Sequence, residues 1–400
     1  MNGKDSLSYL LAFGLAVLLL RVLARVAFHI DLVDRPSKRK NHQGVVPLIG
    51  GLAMFLAFSF ATLTLTVPVS HLRSFFAGAA LLVVVGVLDD MKELSSAARF
   101  VTQIIAALLM TQLGGVVLQD FGGIGWGGGW FELGNWSVPL SVFATVGVIN
   151  AINMSDGIDG LAGSISLLVA MALAFVAWIA GDLGSVRILL LLAAVIVAFL
   201  LFNLRIFGRK RASVFMGDAG SMFLGFVLAW FVIHLSQGEE RAMTPVTALW
   251  FLAVPLVDTV SQMLRRILKG RSPFAPDREH FHHVLLLARY SPEQSWGIVI
   301  GVSVVTALIG LGGLYLGVPE VIMFYGFLLL FVVYFLGMMW AWKVRRFIRR
   351  SISRRLGIDR RSGVDRRQTG GHNSWAGLER RANAEDQRNG SNDRRSLKQE

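Results

Sequence analysis

Residues 186–204 read VRILLLLAAVIVAFLLFNL, nineteen positions with a single charge, Arg187, at one end. An apolar run of that length is what a helix needs to cross a hydrocarbon layer about 30 Å thick. Working outward, runs of the same kind occupy 6–29, 46–67, 73–88, 97–118, 138–153, 163–180, 217–235, 246–264, 294–317 and 321–342. Hydrophobic residues make up 54% of the 400 and charged residues only 16%, against about a quarter charged in a soluble domain. The expected fold is therefore an all-α polytopic membrane protein of about eleven transmembrane helices. The first run lacks a basic leader and a small-residue cleavage site, so it reads as a retained span. No cysteine is present, which excludes disulfides, thiolate catalysis and thiolate-held metals.

Lys and Arg are unevenly divided between alternate loops. One set holds the basic residues of 35–40, 92–99, 205–211 and 265–289, and the other holds Arg73, Arg187 and Arg241. By the positive-inside bias the first set and the C-terminus face the cytoplasm and the N-terminus faces the periplasm. The net charge of +13 resembles a nucleic-acid signal, but roughly two fifths of the Lys and Arg lie after the last run, so no nucleic-acid partner is inferred. Residues 1–345 are read as a polytopic catalytic domain and 346–400 as a cytoplasmic, basic, disordered tail. Juxtamembrane Lys343 to Arg350 suit anionic membrane lipids. Docking of a partner protein is the functional alternative for the tail. The Gly-rich segment 114–136, with Trp126, Trp130, Phe131 and Trp136, reads as an interfacial aromatic cap on the other side.

Four polar segments fall in the basic set of loops: Asp89-Asp90-Met91-Lys92, the stretch from Asn150 through Asn153, Asp156 and Asp159 to Gly160, Phe215 to Ser221 around Asp218, and Ser272 to His283. Adjacent acids at the end of an apolar helix repel unless a cation or a proton intervenes, so Asp89 and Asp90 point to a divalent ion, with a helix-end cap as the alternative. Asp156 and Asp159 stand one turn apart and share a face if their segment opens a helix. Asp218 follows a glycine at the start of a span, where a helix N-terminus favours an anionic ligand. Five carboxylates on one side make Mg2+ holding phosphate oxygens the economical reading, with Mn2+ as a substitute. His280, His282 and His283 lie among arginines without a matching cysteine, which suits phosphate or leaving-group binding ahead of a metal. Asp258 lies within an apolar run and needs a partner or a proton; a support role and a catalytic one are equally compatible with it, with Arg265 and Arg266 two turns along. Asn203 is read either as a ligand-orienting amide or as a helix-end cap.

Along these residues the chain resembles the polyprenyl-phosphate N-acetylhexosamine-1-phosphate transferases, the glycosyltransferase 4 family. The match runs in order through Pro47-Leu48-Ile49-Gly50-Gly51, Asp89-Asp90, Asn153 to Gly160, Phe215 to Ser221 and the histidine loop. The loop Ser272-Pro273-Phe274 to His283 resembles the WecA-like branch and not the branch with three consecutive histidines. The resemblance implies that Asp89 and Asp90 lie at the metal and polyprenyl phosphate, Asp218 at Mg2+, Asp156, Asp159 and Asn153 at the sugar-nucleotide side, and His280, His282 and His283 at the diphosphate or the sugar. Taken with the residues themselves, Asp89, Asp90, Asp156 and Asp159 are expected to be catalytic, Asp218 and Asp90 to hold the metal, and Lys92, Arg99, Asn203 and Arg265 to join the substrate contacts. Arg99 stands where many relatives carry Lys; it keeps the charge but changes the geometry of phosphate contact. The implied reaction moves N-acetylhexosamine-1-phosphate, GlcNAc-1-phosphate above all, from a UDP-N-acetylhexosamine to undecaprenyl phosphate at the cytoplasmic face. It releases UMP and initiates O-antigen-type surface polysaccharide, which implies the bacterial inner (cytoplasmic) membrane and downstream glycosyltransferases as the partners for the tail. A transporter with intramembrane acids is the alternative from another class. Self-association as a homodimer is compatible with the sequence.

Overall fold

The computed structural model describes residues 3–35, 44–65, 72–125, 129–205, 209, 211–272 and 280–355, with side chains described between 5 and 340. Thirteen α-helices follow one another: α1 (Gly3–His29), α2 (Gly50–Thr62), α3 (Arg73–Lys92), α4 (Ser96–Leu108), α5 (Ser137–Ser155), α6 (Leu161–Ala180), α7 (Leu183–Asn203), α8 (Gly217–Ser236), α9 (Pro245–Phe251), α10 (Ala253–Leu268), α11 (Phe281–Leu287), α12 (Pro292–Tyr315) and α13 (Glu320–Arg355). A two-stranded antiparallel sheet pairs β1 (Val33–Asp34) with β2 (Val46–Pro47), Val33 opposite Pro47. The chain is an all-α, multi-pass membrane protein.

Among the described residues nine helices are long and apolar enough to span, and α9 with α10, bent by 83° at a break, make a tenth. The break follows from Pro255, which cannot donate to the Phe251 carbonyl one turn earlier. The remaining expected span, 46–67, is the 13-residue α2, about 20 Å long and short of a full crossing. Its first residues are used otherwise: the Phe215 amide donates to the Pro47 carbonyl, and Gly50 and Gly51 donate to Phe215 and Met216 at 3.0 and 2.9 Å.

Compact units comprise Met1–Phe335 and Leu336–Glu400. The domain boundary expected at 345 falls inside α13, because Lys and Arg continue a helix as readily as they end an apolar run. The expected disordered tail is thus helical to Arg355, and 356–400 lie outside the described residues.

Helix α8 is the hub of the first unit, buried along nearly its whole length and packed on α3, α5, α2 and α6. In a membrane close approach, not hydrophobicity, drives helix pairing, so small residues mark these seams. A Cβ on Gly86 would collide with the Ala219 backbone, and one on Gly225 with Ile149. These contacts clamp the C-terminal ends of α3 and α5 beside the N-terminus of α8. At the other end of the bundle Phe121 stacks on Phe131 at 5.8 Å. Arg241 lies 4.1 Å over Trp130 and pairs with Asp120 and Glu320 at 3.5 Å each. The described residues of the Gly-rich segment, 114–125 and 129–136, are therefore pinned; Trp126 lies outside the described residues.

Candidate active site

The ends of α3, α5 and α8 bring the acids together. Asp90 accepts the Asp218 amide at 2.9 Å and the Ala219 amide at 3.4 Å, so its carboxylate sits on the N-terminus of α8. That corrects the expectation that this helix end is open to a ligand anion: the favoured anion is the protein's own. Asp89, 5% exposed, accepts the Leu94 amide at 2.6 Å; Glu93, at φ 49°, turns the chain back to allow it. Arg99, one turn into α4, reaches Asp89 at 3.2 Å and Asp218 at 3.6 Å. Asn153, at the end of α5, donates to Asp218 at 2.6 Å and to Ser221 at 2.8 Å. Beneath it Asn150 donates to Gln103 at 2.7 Å, tying α5 to α4. Lys92 is exposed on the last turn of α3. Two carboxylates thus share one guanidinium, with Asp90 a third acid on the Asp218 amide, a charge imbalance that a hard cation would relieve.

Asp156 and Asp159 do not share a helical face. Asp156 caps the end of α5, and α6 starts only at Leu161 after Gly160, whose φ of 83° breaks the helical path. Asp159 faces inward, accepting Arg205 Nε at 2.7 Å and the Ala212 amide at 3.0 Å. Asn203 is committed at both ends of its amide, accepting from the Gly160 amide at 2.7 Å and donating to the Val214 carbonyl at 2.8 Å. Both therefore sit as struts beneath the loop, whereas Asp156 is exposed. Crowding by protein, then the Asp218 and Asp159 carboxylates, push the Asp156 carboxyl up to about 7. Since the side chain still meets solvent, it lies in an open depression and not a sealed pocket.

The histidines approach the same loop from α11. A Cβ on Gly157 would overlap the His282 ring, so only glycine admits this contact. His282 and His280 are buried, and His283 is half-buried. Burial, then His283 and His280, lower the His282 imidazole to about 3, leaving it neutral near pH 7. His280 pairs with Asp258 at 2.9 Å. Arg265 is buried and held within α10, to the Ser261 carbonyl at 3.2 Å and to Gln262 at 2.5 Å. Residues 273–279 of the histidine segment, including Arg278, lie outside the described residues.

The structure thus gathers Asp89, Asp90, Arg99, Asn153 and Asp218 in one cluster, with the Asp156 loop and His282 in contact beside it. Asp159 and Asn203 brace the Asp156 loop from behind, while Arg265 is held within α10. Gln103, Asn150 and Tyr334 were not marked as site residues by the sequence; only the need of buried Asp258 for partners pointed toward the last. Among the described residues no three acids or histidines converge as a preformed metal cage. The oxygen-rich donor set suits Mg2+, which is commonly held by one or two carboxylates together with substrate phosphates.

Residues 72–236 match the family model described as glycosyl transferase family 4. The chain is similar to the Yersinia pestis protein named undecaprenyl-phosphate alpha-N-acetylglucosaminyl 1-phosphate transferase, 38% identical over 356 residues, covering 88% of this chain and 96% of that protein. The proteins of the same name from Escherichia coli (strain K12) and Haemophilus influenzae are 38% and 39% identical over 348 and 352 residues. Those matches cover 86% and 87% of this chain, and 93% and 98% of the relatives.

Proposed function

The chain belongs to the glycosyl transferase 4 family, and from that premise we propose that it transfers GlcNAc-1-phosphate from UDP-GlcNAc to undecaprenyl phosphate, releasing UMP. One observation carries the reading: Arg99 pairs with Asp89 and Asp218, and Asp90 holds the Asp218 amide, at the end of the bundle where the Asp156 loop meets the histidines. A transporter is not supported, since the similar proteins are named as transferases and the acids gather at one end instead of lining a route. The Lys and Arg bias supports a cytoplasmic site at the bacterial inner membrane, with the sugar lipid starting a surface polysaccharide.

Two phosphates repel, and their approach needs opposite charge fixed in place. Asp218 and Asp90 would hold Mg2+ together with phosphate oxygens; when bound, the ion supplies charge neutralisation. Arg99 adds a fixed positive charge, and Asn153 holds the Asp218 carboxylate in orientation. The lipid-phosphate oxygen attacks the sugar-linked phosphorus in line, and UMP departs. Asp89 or Asp90 takes the lipid phosphate's last proton, a modest aid because that proton titrates near pH 6. Asp156 and the histidines meet the nucleotide-sugar, His282 donating or accepting hydrogen bonds as a neutral imidazole.

The test is purified protein with UDP-[14C]GlcNAc, undecaprenyl phosphate and Mg2+. A butanol-extractable labelled lipid that fails to form in EDTA is the expected product. No labelled lipid under any divalent ion would overturn the proposal.

A further inference from the structure

Asp258 takes no part in the reaction above, yet its carboxylate is saturated. Oδ2 accepts from His280 Nδ1 at 2.9 Å, and Oδ1 accepts the Phe281 amide at 3.2 Å and the Tyr334 hydroxyl at 2.6 Å. Three elements meet there: α10, the start of α11 and the final span α13. An ionised carboxylate only accepts, so His280 carries a proton on Nδ1. The His280 ring stacks on His282 with centroids 5.8 Å apart and planes 2° from parallel. His282 in turn lies 4.2 Å from His283 and against Gly157. A continuous series of contacts therefore runs from the last span to the Asp156 loop.

We propose that Tyr334 and Asp258 are positioning residues: they fix the tautomer and ring plane of His280, and through its stack the placement of His282 and His283. The catalytic part of this proposal rests on the transferase reading. A carboxylate serving only to cap α11 would need the Phe281 amide alone, and the His280 and Tyr334 bonds would then be inconsequential for turnover. Tyr334 also packs edge-on against Phe281 at 5.9 Å, so Tyr334→Phe keeps the ring contact and removes one O–H.

The experiment combines kinetics with 15N-histidine spectra of the full-length protein in detergent. Tyr334→Phe should lower kcat/KM about three- to tenfold and Asp258→Asn about ten- to a hundredfold, the ranges for neutral and charged hydrogen bonds. In a His280→Ala background both losses should shrink to within about twofold, because the residue through which they act is gone. The His280 signal, identified by its absence in His280→Ala, should show a protonated Nδ1 in the wild type and change in Asp258→Asn. Additive losses in the double variants, or a wild-type His280 without a proton on Nδ1, would overturn the proposal. If the wild type made no sugar lipid the transferase reading would fail, and the spectra alone would still decide whether Asp258 sets the His280 tautomer.

Discussion

Asp90 carries two roles that a pair of substitutions separates. As a cap it holds two amides at the start of α8, at 2.9 and 3.4 Å. Asp90→Ala removes both bonds and the charge at a helix N-terminus, a loss of about 1–3 kcal/mol from capping and dipole effects together. Asp90→Asn keeps an oxygen for the shorter bond and loses the longer one with the charge, about 0.5–1.5 kcal/mol. In a helical bundle of this size those costs lower Tm by a few degrees for Ala and less for Asn. Chemistry orders the variants differently: a carboxamide is a poor ligand for a hard cation and no base, so Asn should be nearly as inactive as Ala, below about 1% of wild type. Thermal unfolding in detergent and initial rates on the same preparations read the two roles apart. An Asp90→Asn enzyme within fivefold of wild type, with the Ala variant inactive and unstable, would refute the chemical role and leave a helix cap.

Asp218→Asn should abolish transfer at every Mg2+ concentration while the protein stays folded and inserted; wild-type turnover in that variant would remove Asp218 from the metal site. His282→Ala should lower kcat/KM about tenfold to a few hundredfold, the range for a charged hydrogen bond, with no rescue by zinc. Asn203→Ala should do the reverse, lowering the unfolding midpoint by leaving two buried backbone groups unpaired, at about 1–3 kcal/mol, while kcat of the folded enzyme holds within a few fold. Truncation after Arg355 should keep activity of purified enzyme within about twofold, since no site residue is lost; a larger drop with insertion intact would tie the tail to the reaction.

The spans were legible because length and apolarity alone decide a membrane crossing. The grouping of Asp89, Asp156, Asp218 and His282 was legible because successive spans send alternate loops to the same end. The division of labour among the acids was not. Asp159 and Asp156 look alike in sequence, and only Arg205 and the Ala212 amide mark the first as a strut. Gly217 advertises a helix N-terminus to any anion, and nothing local reveals that Asp90, far earlier in the chain, occupies it. Tyr334 belongs to no motif and lies in an ordinary apolar span, so asking what satisfies Asp258 was the sole route to it. The bend between α9 and α10 was within reach, since Pro255 forbids a straight helix there.

The central claim is that phosphorus, and not the sugar alone, changes partners at this site. UDP-GlcNAc labelled with 32P on the sugar-linked phosphate tests it in one reaction with undecaprenyl phosphate and Mg2+. Label is expected in the butanol-extractable lipid and unlabelled UMP in the aqueous phase, in equal amounts. Label remaining in aqueous UDP while sugar enters the lipid would contradict it.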